Sequence, residues 1–351
     1  MLLSDFDFNL PTELIAKYPL KNRDEAKFLI VNPKCKDGDV EINDKNVFDL
    51  PSYLTNKDVI VFNDTKVIPV RLNGLKDQIK IEVTLFEQTE SDKWQSFCKK
   101  TKKLNVGDKI IFANDFFATV IQKNGEDGTL LQFNYSDGDL INALFKYGIM
   151  PLPPYIKRDF EKADFDTYQT VYAKNFGAVA CPTAGLHFTK NLLDKIKSIG
   201  TKIAWITLHV GAGTFLPVKE NDISKHKMHK EFGIITKESA DIINLSKQKG
   251  GRIFAIGTTA LRLLESATDD NGIIQPFNNW TNIFITPGYK FKIVDVLMTN
   301  FHIPKSTLFM LVSAFAGIKN MKIAYKHAIE NKYRFYSYGD SSLLFKYNNI
   351  S

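Results

Sequence analysis

The hydrophobic pattern is most regular between Thr189 and Val210. Apolar residues recur there at spacings of three and four, which predicts a helix from about Thr189 to Ile199, with Thr189 as its N-cap and Gly200 as its stop. The apolar run that follows, from Ile203 to Val210, favours a buried strand. Because α/β sheets bind ligands at the carboxyl ends of their strands, the residues after this strand are predicted to line a ligand site.

The C-terminal part of the chain continues this alternation. The pattern predicts the helices Thr236–Gln248 and Ala260–Ala267, and the strands Arg252–Gly257, Asn282–Thr286 and Lys292–Met298. The run Leu308–Ala316 is apolar on every side apart from Ser313, and Ser306 or Thr307 can cap it. A helix of this kind is expected at the centre of a domain.

Between residues 72 and 147 the pattern changes to short runs of β-forming residues. These runs are Ile79–Leu85, Trp94–Cys98, Lys109–Phe112, Phe117–Gln122 and Thr129–Tyr135. Turn-forming pairs such as Gly107-Asp108 separate them. The expected fold is therefore α/β, with a larger α/β domain formed by 1–71 and 148–351 and a small antiparallel β-barrel inserted at 72–147.

Length and charge refine this prediction. At 351 residues the chain exceeds the usual size of one hydrophobic core, which agrees with two domains. The formal net charge of +7 suits a polyanionic partner such as a nucleic acid, although a lysine-rich composition also arises from genome bias. The densest basic cluster is Lys99, Lys100, Lys102 and Lys103. It is either a solvated hairpin or a contact for a phosphate backbone.

The cysteines and the N-terminal residues indicate a reducing compartment. Cys35, Cys98 and Cys181 are odd in number and far apart, which suggests neither a disulfide framework nor a cysteine-based metal cluster. The first residues lack a basic segment before an apolar one, and the longest strongly apolar run, Leu308–Gly317, is too short to span a bilayer. We expect a cytoplasmic monomer that does not bind a membrane.

Three histidines are candidates for proton transfer. His187 lies in GAVACPTAGLHF, His209 lies in TLHVGAGTF, and His302 follows a strand predicted to contain Asp295. Each is expected where a strand or loop reaches the carboxyl edge of the sheet, so the three are predicted to converge there. The alternative for each is a core histidine whose hydrogen bonds are satisfied.

Two patterns that often bind cofactors or metals are incomplete. The stretch from Gly211 begins like a dinucleotide-binding loop, but Leu216 stands where the third glycine belongs and Pro217 follows it. His226, His229 and Glu231 lie close together in sequence, but they form no HExxH string and are surrounded by lysines. We therefore predict neither a nicotinamide or flavin cofactor nor a metal.

The Gly257-Thr258-Thr259 string precedes a predicted helix, so its free N–H groups and hydroxyls suit a carboxylate or a phosphate. Arg262 lies one turn further on. An ordinary helix cap is the alternative for the string, and an intrahelical ion pair with Glu265 is the alternative for Arg262.

Near the C-terminus a cation is combined with aromatic rings. The residues are Arg334, Phe335, Tyr336 and Tyr338. They either stack on an extruded base or pack in the core.

Several longer strings occur in order along the chain. Besides the segments around His187 and His209, they are FNDTKVIPVR (Phe62–Arg71), MPLPPYI (Met150–Ile156), YQTVYA (Tyr168–Ala173), HKMHKE (His226–Glu231), GTTALRLLES (Gly257–Ser266), TNFHIP (Thr299–Pro304) and YRFYSYGD (Tyr333–Asp340). Together, in register from Asp5 to Asp340, they resemble the S-adenosylmethionine:tRNA ribosyltransferase-isomerase family of queuosine biosynthesis.

The resemblance implies the same two-part fold and a transfer reaction in which S-adenosylmethionine is a consumed substrate. Its ribosyl carbons pass to the aminomethyl group of 7-aminomethyl-7-deazaguanine in tRNA, which leaves epoxyqueuosine and releases adenine and methionine. No separate cofactor is expected, and tRNA carrying this base is the expected partner. The absence of a CxxxCxxC string agrees with polar rather than radical chemistry.

This chemistry suggests roles for individual residues. The carbon beside a sulfonium is acidified, so a base can remove its proton, and departing adenine needs a proton donor. His187 or His209 is the expected base, and His302 with Asp295 the second proton-transfer or orienting group. The other expected substrate contacts are a cradle (Thr183, Gly185, Gly211, Gly213, Thr214), an aromatic face for the sulfonium (Phe188 or Phe215), a carboxylate site (Arg262, Thr258, Thr259) and a binding edge (Asn63, Thr65, Arg71).

The sequence departs from the family pattern at Val70, Cys181 and Ala260, and Ala260 lacks a serine hydroxyl that could touch substrate. Two other functions stay open. One is a transferase or hydrolase that acts on a free nucleoside. The other is a noncatalytic tRNA-binding protein.

Overall fold

The computed structural model describes residues 1–125, 128–211, 218 and 220–347. Within these residues the chain forms a nine-stranded mixed sheet, a closed six-stranded barrel and a two-stranded ribbon, which confirms the predicted α/β class with an antiparallel barrel. The strands are β1 (Lys27–Pro33), β2 (Val40–Asn46), β3 (Val59–Asn63), β4 (Thr65–Val67), β5 (Arg71–Lys76), β6 (Ile79–Glu90), β7 (Lys93–Cys98), β8 (Lys109–Ala113), β9 (Phe116–Lys123), β10 (Thr129–Phe133), β11 (Asn175–Ala178), β12 (Lys202–His209), β13 (Glu231–Ile235), β14 (Ile253–Ile256), β15 (Phe277–Thr281), β16 (Val296–Asn300) and β17 (Ser341–Phe345). The helices are α1 (Asp137–Tyr147), α2 (Asp164–Thr167), α3 (Lys190–Ser198), α4 (Lys237–Gln248), α5 (Thr258–Ala267), α6 (Thr307–Ala316) and α7 (Ile318–Glu330).

The large sheet has the strand order β15-β13-β12-β3-β14-β16-β17-β1-β2, and its centre, β12-β3-β14-β16, is parallel. Every residue of β3 is buried because the two faces of the sheet pack against different cores. Val59 and Val61 face the core that includes α4 to α7, whereas Ile60 and Phe62 face the core that includes α3. The carboxyl ends of the four central strands therefore share one edge.

The barrel closes in the order β10-β7-β6-β5-β8-β9. Alternate residues of β6, namely Ile81, Val83 and Leu85, fill its interior, and α1 packs onto the same core through Leu140 and Leu144. The five predicted β-rich runs correspond to β6 through β10, whereas β5 and α1 are additional elements. The division of the chain into domains at residues 72 and 147 stays a prediction.

The predicted helices of the large domain are confirmed, and three of them have side-chain caps. Thr189 accepts a hydrogen bond from the backbone N–H of Leu192 at 3.1 Å, and Gly200 follows α3 with a φ of +90°. Thr236 caps α4 and Ser306 caps α6 in the same way. The residues of α6 are almost all buried, as its uniformly apolar sequence predicts.

The strand predicted at Asn282–Thr286 is wrong. The strand lies five positions earlier, as β15, and pairs with β13 although Trp280 and its two asparagine neighbours are exposed. An edge strand pairs on one side only, so it needs no apolar face to be held in place. The strand predicted at Lys292–Met298 also begins later, as β16.

In the described part of the chain, no single helix is long and apolar enough to cross a membrane. The helices α6 and α7 reach that length and composition only when taken together, and the chain bends by 113° between them.

Candidate active site

A cavity of about 280 Å³, here called the edge cavity, opens at the carboxyl edge of the sheet. The first residues of two helices line it, Thr258 and Thr259 of α5 and Thr307 of α6. Gly257, with a φ of +91°, allows the sharp turn from β14 into α5. Because the first N–H groups of a helix have no partner within that helix, two helix starts make the edge cavity suitable for an anionic group.

Two buried hydroxyls that line the edge cavity, Thr259 Oγ1 and Tyr168 OH, have no hydrogen-bond partner among the described residues. A buried hydroxyl without a partner costs about 1–3 kcal/mol, so a ligand that supplies the partner gains affinity. The rings of Tyr155 and Tyr336, whose centroids are 3.9 Å apart, add aromatic surface. The edge cavity is therefore suited to a ligand that carries polar groups together with a cation or a flat ring.

His302 lines the edge cavity and is 8% exposed. Its Nε2 lies 3.1 Å from the hydroxyl of Thr299, and its backbone N–H donates to the hydroxyl of Tyr325. Burial lowers the pKa of His302 to about 3, so the ring is neutral at neutral pH. His302 thus presents a neutral ring to the edge cavity.

The predicted pairing of His302 with Asp295 is wrong. Asp295 precedes β16 and His302 follows it, so the two residues lie at opposite ends of a buried strand. Asp295 Oδ2 accepts a hydrogen bond of 2.9 Å from the backbone N–H of Ile253, which joins the amino ends of β14 and β16. The hydrophobic pattern predicts that this strand begins at Lys292, whereas β16 begins at Val296, and the predicted strand therefore includes Asp295.

His187 lies beside the edge cavity but does not line it. It is 5% exposed, and its Nε2 accepts a hydrogen bond of 3.2 Å from the amide of Asn300. Asn300 lines the cavity and also accepts a hydrogen bond of 3.1 Å from the hydroxyl of Thr183. Burial lowers the pKa of His187 to about 4. His187 therefore reaches the cavity through Asn300. Asn300 was not a predicted site residue; it only forms part of the TNFHIP string.

His209 ends β12 and lines a different cavity, of about 620 Å³, between the barrel and the sheet, here called the barrel cavity. Its Nδ1 lies 2.8 Å from Thr65 Oγ1, and Gly177 packs on the ring so closely that a Cβ there would approach it to 2.8 Å. No residue in the described ranges forms a hydrogen bond with Nε2. Burial lowers the pKa of His209, and the charge of Asp64 opposes this effect.

The three histidines therefore do not converge on one cavity as predicted. His302 and, through Asn300, His187 belong to the edge cavity, whereas His209 belongs to the barrel cavity.

Asn63 and Asp64 join β3 to β12. The side-chain amide of Asn63 makes hydrogen bonds of 2.9 and 3.0 Å to the backbone of Leu208, and Asp64 accepts one of 2.6 Å from the hydroxyl of Thr207. Asn63 lines neither cavity and its amide bonds to Leu208, so the structure does not support its predicted substrate contact, which stays a prediction. These two residues instead fix the end of the strand that carries His209, and sequence reasoning missed Asp64.

The predicted carboxylate contact of Arg262 in the edge cavity is wrong. Arg262 Nη1 lies 2.5 Å from Glu231 Oε2, and both side chains are buried. The alternative pair with Glu265 is wrong as well, because Glu265 accepts backbone N–H groups from Ile293 and Val294. Glu231 is 31 residues from Arg262, a distance over which no local spacing predicts a partner.

The remaining predicted substrate contacts lie in two different cavities or outside the described residues. Thr183, Thr258 and Thr259 line the edge cavity, and Gly211 lines the barrel cavity. Gly213, Thr214 and Phe215 lie outside the described residues.

Three predicted contacts face protein instead. Gly185 packs against Tyr172, whose hydroxyl leaves no room for a Cβ. Arg71 donates to the carbonyl of Leu152 at 3.2 Å. Phe188 is fully buried and packs edge-on against Phe62, so the aromatic rings that line the edge cavity come from other residues, including Tyr155, Phe301 and Tyr336.

The C-terminal aromatic segment belongs mainly to the core. Arg334 pairs with Asp340 at 2.9 Å and Phe335 is fully buried, whereas Tyr336 lines the edge cavity. Of the departures from the family pattern, Ala260 is buried in the main core and Cys181 lines the edge cavity, where burial raises the pKa of its thiol.

The histidine segment before β13 is not built as a metal site. The ring of His226 packs against Phe284 at 5.3 Å, and Glu231 pairs with Arg262. Among the residues that the structure describes, no group of three or more His, Cys, Asp or Glu lies close enough together to hold a metal ion.

Comparisons with known proteins agree with this architecture. The family model for queuosine biosynthesis proteins matches residues 3–344. A Caulobacter vibrioides protein named S-adenosylmethionine:tRNA ribosyltransferase-isomerase is 50% identical and is covered over 99% of both chains. A Rhodospirillum rubrum protein of the same name is 52% identical, with 97% of this chain and 96% of the relative covered.

Among solved structures, an S-adenosylmethionine tRNA ribosyltransferase from Thermotoga maritima superimposes with a TM-score of 0.55 at 32% identity, covering 97% of this chain and 99% of the other. Sequence and fold thus agree along nearly the whole length, and the chain belongs to the family of queuosine biosynthesis proteins.

Proposed function

We propose that the chain is an S-adenosylmethionine:tRNA ribosyltransferase-isomerase. It transfers and isomerises the ribosyl moiety of S-adenosylmethionine onto the aminomethyl group of 7-aminomethyl-7-deazaguanine in tRNA. The products are epoxyqueuosine in tRNA, adenine and methionine. The observation that carries the proposal is the edge cavity in a chain of this family. It combines two helix starts, a neutral histidine and two hydroxyls that have no partner among the described residues.

The edge cavity matches the parts of S-adenosylmethionine. The N–H groups at the starts of α5 and α6 suit the methionine carboxylate. Tyr155 and Tyr336 present ring faces to the sulfonium or to adenine. Thr259 and Tyr168 supply hydroxyls that have no partner among the described residues. S-Adenosylmethionine is consumed in this scheme, and no further cofactor takes part.

His302 is our candidate for proton transfer in the edge cavity. The carbon beside a sulfonium is acidified, and a neutral imidazole can accept its proton. Burial lowers the pKa of His302 to about 3, so the free ring is neutral, and proton transfer requires the bound methionine carboxylate to raise that pKa towards neutrality. His187 supports the same wall through Asn300, and His209 serves the barrel cavity. Because the proposed macromolecular substrate is tRNA, we place the reaction in the cytoplasm.

The test uses S-adenosylmethionine labelled with ¹³C in its ribosyl carbons. The protein is incubated with this substrate and tRNA carrying 7-aminomethyl-7-deazaguanine, and the nucleosides are analysed by mass spectrometry. We expect the label in epoxyqueuosine and unlabelled adenine in solution. Base release from a free nucleoside without tRNA would identify a different transferase or hydrolase. Salt-sensitive tRNA binding without adenine release would identify a noncatalytic binding protein.

A further inference from the structure

The barrel cavity takes no part in the edge-cavity chemistry. It has a volume of about 620 Å³, within the range of ligand sites, and it lies between the hairpin of β6 and β7 and the sheet edge formed by β12, β13 and β15. Aromatic side chains from both sides line it, namely Phe86, Trp94, Phe176, Phe232 and Trp280.

Two of these rings are unusually exposed for large apolar side chains. Trp280 is 48% exposed on the edge strand β15, and Phe176 is 47% exposed on β11. Lys66 Nζ lies 4.8 Å from the centre of the Phe176 ring, which brings a positive charge to the same rim. Aromatic faces beside cations are the usual contacts for unstacked bases in RNA, because every base has a π-face and every nucleotide carries a phosphate.

The polar groups of the barrel cavity suit the edge of a guanine-like base. Such an edge offers N–H donors and a carbonyl acceptor. Glu87 supplies a carboxylate and Lys230 an ammonium group on the cavity wall, and Gln88 supplies an amide. His209 adds Nε2, which has no partner in the described part of the chain.

The two cavities are adjacent. Val210, which follows His209 at the end of β12, lines both of them. A base held in the barrel cavity would therefore lie next to a ligand in the edge cavity.

From these observations we infer that the barrel cavity receives the 7-deazaguanine base, extruded from the tRNA, with Trp280 and Phe176 as its stacking faces. This inference rests on the proposed function, because it assigns the second substrate of the same reaction. S-Adenosylmethionine and the base then occupy separate cavities and meet at Val210.

The first experiment separates binding of the two substrates. Trp280→Ala and Phe176→Ala should each raise the KM for the modified tRNA about tenfold or more, because stacking on an aromatic ring contributes strongly to binding of an unstacked base. The Kd for S-adenosylmethionine should stay at the wild-type value. Phe48→Ala is the matched control, since Phe48 is 44% exposed but lies outside both cavities, and its KM should not change.

The second experiment observes stacking without turnover. The chain has 3 tryptophans, of which Trp94 and Trp280 line the barrel cavity and Trp205 stacks on Phe62. A stem-loop RNA carrying 7-aminomethyl-7-deazaguanine should quench the tryptophan fluorescence, and Trp280→Phe should remove most of that change. A stem-loop that is abasic at the same position should cause little quenching.

The outcomes distinguish this inference from the proposed function. Wild-type turnover with an unchanged tRNA KM in both alanine variants would overturn the inference and leave the function intact. Equal quenching by the abasic stem-loop would also overturn it, because contacts to the backbone would then explain binding. Loss of S-adenosylmethionine binding in Trp280→Ala would assign the cavity to that substrate instead.

Discussion

At the scale of single residues, the hydroxyl of Thr259 is the clearest candidate for ligand binding. It is buried at the start of α5 without a partner among the described residues. Thr259→Val keeps the shape of the side chain and removes only this hydroxyl. We expect the Kd for S-adenosylmethionine to rise by roughly five- to tenfold, the value of one hydrogen bond, while the unfolding free energy stays equal or increases.

Isothermal titration calorimetry and urea unfolding measure these two quantities. Ser313→Ala is the matched control, because the Ser313 hydroxyl is also buried without a partner in the described ranges but does not line the edge cavity. An equal loss of affinity in both variants would contradict a ligand contact at Thr259.

Thr65 is expected to control the orientation of His209. Its hydroxyl lies 2.8 Å from Nδ1 of the ring, and this contact restricts the rotation of the ring and so the position of Nε2. We expect Thr65→Val to lower the single-turnover rate of adenine release by roughly five- to tenfold, whereas Thr65→Ser, which keeps the hydroxyl, should remain near the wild-type rate. Equal loss in the two variants would mean that the methyl group, rather than the hydrogen bond, is important.

The buried histidines predict how stability depends on pH. The pKa is lowered by burial to about 4 for His187 and to about 3 for His302, from an ordinary value near 6.5. Below pH 6.5 these histidines bind protons in the unfolded chain but not in the folded chain. Their contribution to the free energy of unfolding is therefore fully present above that pH and is lost as the pH decreases. For each histidine, the free energy of unfolding should fall by about 2 kcal/mol as the pH is lowered from 7.5 to 5.

Urea unfolding at several pH values tests this prediction. His302→Gln should make the decline with falling pH shallower by about 2 kcal/mol over this interval. His229→Gln is the control and should keep the wild-type decline, because His229 is exposed in the folded chain. A parallel decline in wild type and His302→Gln would contradict the low pKa.

At the scale of elements, the ion pair of Arg262 and Glu231 joins α5 to β13. The two side chains are 6% and 4% exposed. Arg262→Met leaves the Glu231 carboxylate buried without its cation, and we expect a loss of about 3–5 kcal/mol in unfolding free energy. The double variant Arg262→Met/Glu231→Leu should recover most of that loss, because neither charge remains.

Chemical denaturation measures this series. The exposed pair of Lys237 and Asp241 gives a control, since Lys237→Met should change stability by about 0.5 kcal/mol or less. A double variant as unstable as Arg262→Met would show that packing, rather than the unpaired charge, causes the loss.

The elements also show which parts of a fold can be predicted from sequence. The helix α3 was predictable because its cap at Thr189, its apolar face and its stop at Gly200 are local. The strand β15 was not, because Trp280 and its neighbours are held by backbone pairing to β13 and carry no apolar alternation. One misplaced strand boundary was enough to bring Asp295 into a strand that it in fact precedes.

At the scale of the whole molecule, sequence predicted the residues of the site better than their grouping. Thr183, Thr258, Thr259 and His302 do meet at the carboxyl edge, as strand ends in an α/β sheet should. The separation of His209 from them depends on where the barrel lies against the sheet. The partner of Arg262 depends on the pairing of β12 with β13. Such long-range packing leaves no spacing in the sequence.

The most direct test of the proposed reaction is the stoichiometry of one turnover. Enzyme in excess is mixed with S-adenosylmethionine and limiting tRNA that carries 7-aminomethyl-7-deazaguanine, and adenine and epoxyqueuosine are quantified together. We predict one adenine for each epoxyqueuosine formed, and no adenine when the tRNA carries guanine at that position. Adenine release that does not depend on the modified base would contradict the proposed reaction. Binding of both substrates without formation of either product would contradict it as well.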